Sequence, residues 1–100
     1  MSVVMVVRLP YDGNDIGAIH DEVAAKVNDL AKSMGAIHHE IYLSRQTNEA
    51  VVIDEWASAD DANAFWATDT FREALGGAGM RPPTEVSILE KVEGDPACRF

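Results

Sequence analysis

The sequence predicts an α+β domain of the split βαβ kind, a four-stranded antiparallel sheet with two helices on one face. Three observations predict it. Short β-branched runs alternate with stretches of helical periodicity, the order along the chain is β-α-β-β-α-β, and right-handed crossovers place both helices on the same side of the sheet.

Residues 3–9 (VVMVVRL) make the first strand, a valine-rich run too short for a helix and ended by Pro10. Residues 11–15 (YDGND) supply turn and capping side chains. Ile16, Ile19, Val23, Val27, Leu30 and Met34 then recur at spacings of three and four, which is one face of a helix over about 15–34. Gly35 stands where a left-handed C-terminal cap is wanted. Residues 37–44 (IHHEIYLS) alternate, with Ile37, His39, Ile41 and Leu43 on one side and His38, Glu40, Tyr42 and Ser44 on the other. The turn-like RQTNE and the β run at 50–56 (AVVIDEW) complete a hairpin.

Ser58 and Asp61 form a capping box that opens the second helical stretch, and Thr70 with Glu73 form another inside it. Two start signals predict a break near 68–70, between a piece carrying Phe65 and Trp66 and a piece carrying Phe71, Ala74 and Leu75. GGAG ends the stretch, Pro82 and Pro83 stiffen a loop, and residues 85–92 (EVSILEKV) form the last strand. The domain is expected to span 1–93, with 94–100 a flexible tail.

The composition, 47% hydrophobic and 25% charged over 100 residues, is that of one globular domain with its own core. A net charge of −9 without any Lys/Arg cluster argues against nucleic acid. The absence of a long apolar run or a basic leader argues against a membrane span or secretion, so a cytoplasmic protein is expected. The single cysteine, Cys98, forms no intramolecular disulfide and is expected to be an inert thiol.

The first strand is apolar from Val3 to Val7, and the third offers Val51 and Ile53 on one side with Val52 and Trp56 on the other. Two helices cover one face. The other face needs a cover, and a second copy packed sheet against sheet is the expected one, giving a homodimer through the open sheet face.

The segment VVIDEWAS followed by ADDANAFWATDTFREAL resembles the hydrophobic-strand, Glu-x-Trp, Ser-capped-helix, aromatic, Ser/Thr-Asp-x-Phe pattern of the antibiotic-biosynthesis monooxygenase-like family of the dimeric α+β barrel superfamily. The resemblance spans roughly residues 3–92. It implies a ferredoxin-like dimeric barrel with a ligand cavity between sheet and helices. It also implies an activity drawn from a range that includes cofactor-free oxygenases of aromatic polyketides, haem-degrading enzymes and isomerases. The haem-degrading pattern fails residue by residue. Phe65 stands where its Trp should be, Leu75 where its iron-ligating His should be, and the first strand holds no Asn. No cofactor is therefore expected.

Trp56, Trp66 and Phe71 are candidates for an aromatic ligand wall, with core packing as the plainer reading for Phe65 and Phe71. His38, Glu40 and Tyr42, at i, i+2 and i+4 on one strand face, line up an imidazole, a carboxylate and a phenol. Such a row suits proton transfer with His38 as base, and a polar face at a sheet edge or dimer seam is the alternative. His39 points the other way and reads as a satisfied core or rim histidine. Only His38 and Glu40 are paired by spacing, so no metal site is expected. Arg8, the lone cation of the first strand, is a candidate for an anionic ligand group or for an ion pair with Asp54 or Glu55.

Three functions are compatible with this pattern. The first is a cofactor-independent oxygenase or isomerase holding an aromatic or polyketide-like molecule between Trp56, Trp66 and Tyr42. The second is a non-catalytic ligand-binding or sensing module, and the third a dimeric structural protein.

Overall fold

The computed structural model describes residues 2–11, 15–92, 98 and 100. The elements are β1 (Val3–Pro10), α1 (Ile16–Ser33), β2 (Ala36–Ser44), β3 (Glu49–Trp56), α2 (Ala59–Trp66), α3 (Asp69–Gly77) and β4 (Glu85–Glu90). The sheet order is β2-β3-β1-β4 with every pair antiparallel, which is the expected ferredoxin-like arrangement. Residues 1 and 93 of the expected domain, 12–14 of its expected turn, and 94–97 and 99 of the expected tail lie outside the described residues.

Alternation decides the faces. Val3, Met5, Val7 and Leu9 of β1 and Ala50, Val52, Asp54 and Trp56 of β3 are buried under the helices, while the residues between them are only half buried. Val23 and Val27 of α1, Phe65 of α2 and Phe71 of α3 pack down onto that face. Among the described residues no helix is long and apolar enough to cross a membrane.

The caps explain the element ends. Asp15 accepts from the Ala18 N–H at the start of α1, and Ser58 accepts from the Asp61 N–H at the start of α2. Gly35 follows α1 at φ 104°, a conformation that a side chain resists, and a Cβ there would lie 2.6 Å from Asp61 Oδ2. Its carbonyl accepts from the Ala57 N–H at 2.9 Å, so this one glycine ties the start of β2 to the start of α2.

The expected break in the second helical stretch divides it into two helices, with a cap different from the expected Thr70. Thr68 has an extended backbone, and its Oγ1 accepts from the Phe71 N–H at 3.2 Å while donating to the Phe65 carbonyl at 2.7 Å. One hydroxyl thus closes α2 and opens α3, whereas Thr70 lies within the first turn of α3 and caps nothing.

Candidate functional site

A cavity of about 360 Å³ lies between the helices and the covered face of the sheet. Its apolar walls include Leu9, Val23, Val27, Val52, Trp56 and Phe65, with Trp66 and Phe71 at the α2–α3 end. The aromatics form a continuous series. Ring centroids are 5.1 Å apart for Trp56 and Phe65, 4.5 Å for Phe65 and Phe71, and 4.7 Å for the edge-on pair Trp66 and Phe71. Trp56, Phe65 and Phe71 are buried core residues and Trp66 is half buried. Core and cavity wall are therefore the same side chains. The indole N–H groups of both tryptophans are buried and make no hydrogen bond among the described residues.

The cavity also holds one buried carboxylate. Asp54 occupies an inward position of β3, where alternation would place an apolar side chain, and it is 7% exposed. Its register partner on β2 is His39, whose Nδ1 lies 2.5 Å from Asp54 Oδ1. A carboxylate only accepts, so Nδ1 is the donor and a neutral His39 ring keeps its lone pair on Nε2. The ring of His20 from α1 stacks on His39, with centroids 4.9 Å apart and planes within 14°. Both imidazoles line the cavity. This is the arrangement of an oriented general base: an imidazole held by a buried carboxylate beside an apolar space.

His38, Glu40 and Tyr42 share a strand face as expected, and their side chains interact. His38 Nε2 lies 2.7 Å from Glu40 Oε1, and the Tyr42 hydroxyl donates to Glu40 Oε2. The Tyr42 hydroxyl, then His38, hold the Glu40 carboxyl below its usual range, and the same contact raises the Tyr42 phenol. The structure does not bring this row together with the aromatic wall. Glu40 and Tyr42 pair with Ile53 and Val51, which face the open side of the sheet. Trp56, Trp66 and Phe71 lie on the helix side. His38 borders the cavity mouth next to the β-bulge at the start of β2, but its imidazole is engaged by Glu40. A molecule packed on Trp56 therefore cannot also lie against Tyr42, and the expected single pocket is corrected to two separate faces.

Arg8 also lies on the open side, and its partners differ from the expected Asp54 and Glu55. It pairs with Glu49 at 3.4 Å and Glu85 at 3.5 Å. Register is the reason: Arg8 stands opposite Val51 on β3 and Glu85 on β4, so Glu49 is one same-face step away, while Asp54 points through to the covered side.

Sequence reasoning placed His39 on the correct face but passed over Asp54, the residue that gives it a role. A carboxylate within the inward set Ala50, Val52, Asp54, Trp56 was the available signal, since such a group must find a partner. Among the described residues no group of three His, Cys, Asp or Glu side chains is placed to hold a metal ion.

No family model and no curated protein matches the sequence. Solved structures do match. The cofactor-independent oxygenase SnoaB from Streptomyces nogalater superposes with a TM-score of 0.68 at 19% identity, over 96% of this chain and 98% of its own. A candidate antibiotic biosynthesis monooxygenase from Caulobacter crescentus gives 0.69 at 22% identity, covering 92% and 91%. A counterpart from Nitrosomonas europaea gives 0.67 at 14%, again covering 92% and 91%. The chain thus has the fold of the antibiotic biosynthesis monooxygenase-like proteins.

Proposed function

We propose that this chain, built on the fold of the antibiotic biosynthesis monooxygenase-like proteins, oxidises a small aromatic or polyketide-like molecule without a cofactor, with His39 as the base. The observation that carries the reading is the His39–Asp54 pair, 2.5 Å apart, on the wall of an apolar cavity of about 360 Å³. That volume lies in the range of roughly 300–1,000 Å³ typical of small-molecule sites.

His39 Nε2 takes a proton from an acidic C–H beside a phenol or ketone of the substrate, and Asp54 steadies the imidazolium that forms. The resulting enolate is rich enough in electrons to reduce dioxygen. A C–O bond forms at the deprotonated carbon, and loss of water carries away the second oxygen atom with both hydrogens, so a CH₂ becomes a C=O and O₂ is consumed one for one. The base is assigned to His39 in place of His38 because the His38 imidazole, at the cavity mouth, is engaged through Nε2 by Glu40, whereas Asp54 engages His39 through Nδ1 and leaves Nε2 available.

A panel of planar phenols, quinones and anthrones, each at about a hundred times its dissociation constant, tests the site, because such binding stabilises the fold by ~2.7 kcal/mol. A thermal shift of several degrees followed by oxygen uptake supports the reading. Binding without uptake favours the non-catalytic sensing module, and no shift across the panel contradicts both.

We propose further that a second copy covers the open sheet face. Val4, Val6, Val51 and Ile53 are half buried there beside Leu89 and Tyr42, which are 51% and 52% exposed. Polar clusters border this strip, Arg8 with Glu49 and Glu85 at one end and Glu55 with Ser2 and Lys91 at the other. A solution mass equal to one 10.9 kDa chain at micromolar concentration would overturn the dimer.

A further inference from the structure

The cavity mouth lies between α1 and β2, where the exposed lining residues Asn28, Lys32, Ile37, His38 and His39 meet. On α1, His20, Ala24, Asn28 and Lys32 follow one another at intervals of four and all line the cavity. Their chemistry changes along the row. His20 stacks on His39 and pairs with Asp21 at 3.3 Å, so the proton-handling groups gather at that end. At the other end stands Lys32, about 18 Å further along the helix axis. Lys26, Lys91 and Arg8 each have a carboxylate partner. Lys32 has none within 4 Å among the described residues, and neither have Arg45, Arg72 and Arg81, but of these four Lys32 is the one that lines the cavity, with Asn28 one turn before it. Residues four apart on a helix have Cβ atoms about 5–6 Å apart, a spacing that lets an ammonium and an amide N–H₂ grip the two oxygens of one carboxylate.

We infer that the cavity's ligand is an amphipathic carboxylic acid, its apolar rings against Trp56 and Phe65, its carboxylate held by Lys32 and Asn28 at the C-terminal end of the α1 row, and its reacting carbon beside His39 toward the His20 end. This rests on the cavity reading above and adds the substrate class to it. The protein's net charge of −9 opposes an anion at long range. The mouth contact is local, and at physiological ionic strength charges beyond about 8 Å are largely screened. A cation and an amide donor at the mouth of an otherwise apolar cavity therefore select acids over neutral ligands of the same shape.

The test is calorimetric titration of the full chain and its Lys32→Met variant with 2-naphthoate and with its neutral counterpart 2-naphthamide. Lys32 is exposed, and methionine keeps an unbranched apolar stem, so the variant is expected to fold; circular dichroism checks this. The wild type should bind the acid about tenfold or more tighter than the amide, the scale of a hydrogen bond to a charged group. Lys32→Met should erase that preference and leave amide affinity within about twofold. Equal affinity for acid and amide, or an acid preference that survives Lys32→Met, overturns the acid proposal while the cavity stands. Failure of both probes to bind the wild type sinks the cavity reading and the acid proposal together.

Discussion

The two faces of this sheet carry the same chemical pair, an imidazole against a carboxylate, in two settings. On the helix side, His39, whose side chain is 44% exposed, meets Asp54, whose side chain is 10% exposed and lies among Met5, Val52 and Trp56. On the open side, His38 meets Glu40, whose side chain is 44% exposed and also accepts from Tyr42. Two adjacent histidines reach opposite faces because a strand alternates. The difference lies in the surroundings. A water-exposed pair is worth little and its geometry is replaceable, whereas in a low-dielectric interior a hydrogen bond is stronger and an unpaired group costs more. The same two residue types thus make a half-buried pair anchored on a buried carboxylate on one face and a solvated pair on the other.

The strongest way to break this comparison is to collapse the covered face. Trp56 is 1% exposed and stands at the head of the aromatic series, so Trp56→Ala is expected to cost about 3–5 kcal/mol in chemical denaturation. A loss below about 1 kcal/mol would mean the aromatic wall carries little of the fold.

Cutting the carboxylate on each face sharpens the contrast. Asp54→Ala leaves the His39 Nδ1–H facing a partly buried void and is expected to cost about 1–3 kcal/mol. Glu40→Ala, on the open side, should stay within about 0.5 kcal/mol, as exposed substitutions generally do. Equal losses in urea titrations of the two variants would erase the distinction drawn here.

A smaller effect is expected at the joint that holds Phe71 against the cavity. Thr68→Ala removes the hydroxyl that caps α3, and a lost N-cap costs about 1 kcal/mol. Thr70→Ala at the position favoured by sequence should cost less, and the reverse order in thermal melts would restore the sequence-based cap.

The smallest effect concerns acid. The Lys91 ammonium and then the Ser2 hydroxyl hold Glu55 below the ordinary carboxyl value of 4.5. A group with a lowered folded-state pKa contributes stability that is present above its unfolded value and is lost as pH falls through the folded one. Wild type should therefore lose stability faster than Glu55→Gln as pH drops below about 4.5. Parallel pH profiles would show that the contact is absent in solution.

The fold was legible because it follows from periodicity, capping side chains and one glycine. The runs 3–9 and 50–56 and the helical stripe from Ile16 to Met34 needed no long-range information. The site was less legible because it depends on register. Whether Arg8 meets Glu49 or Glu55 is fixed by which β3 residue stands opposite it, and no local pattern reports that. The His39–Asp54 contact joins two strands in the same way, so strand-by-strand reading favoured the His38 row, whose members are neighbours in sequence. Trp56, Trp66 and Phe71 were recognisable as large aromatics at one joint, and their double service as core and cavity wall needed the helices in place.

The most direct measurement is oxygen uptake by His39→Gln and His38→Gln, side by side, on whichever phenol or anthrone stabilises the wild type. If His39 is the base, His39→Gln should lose about 10²- to 10⁴-fold in turnover with binding retained, and His38→Gln should keep activity close to wild type. Full activity in His39→Gln, with loss in His38→Gln, would move the base to the His38–Glu40 pair and contradict this account.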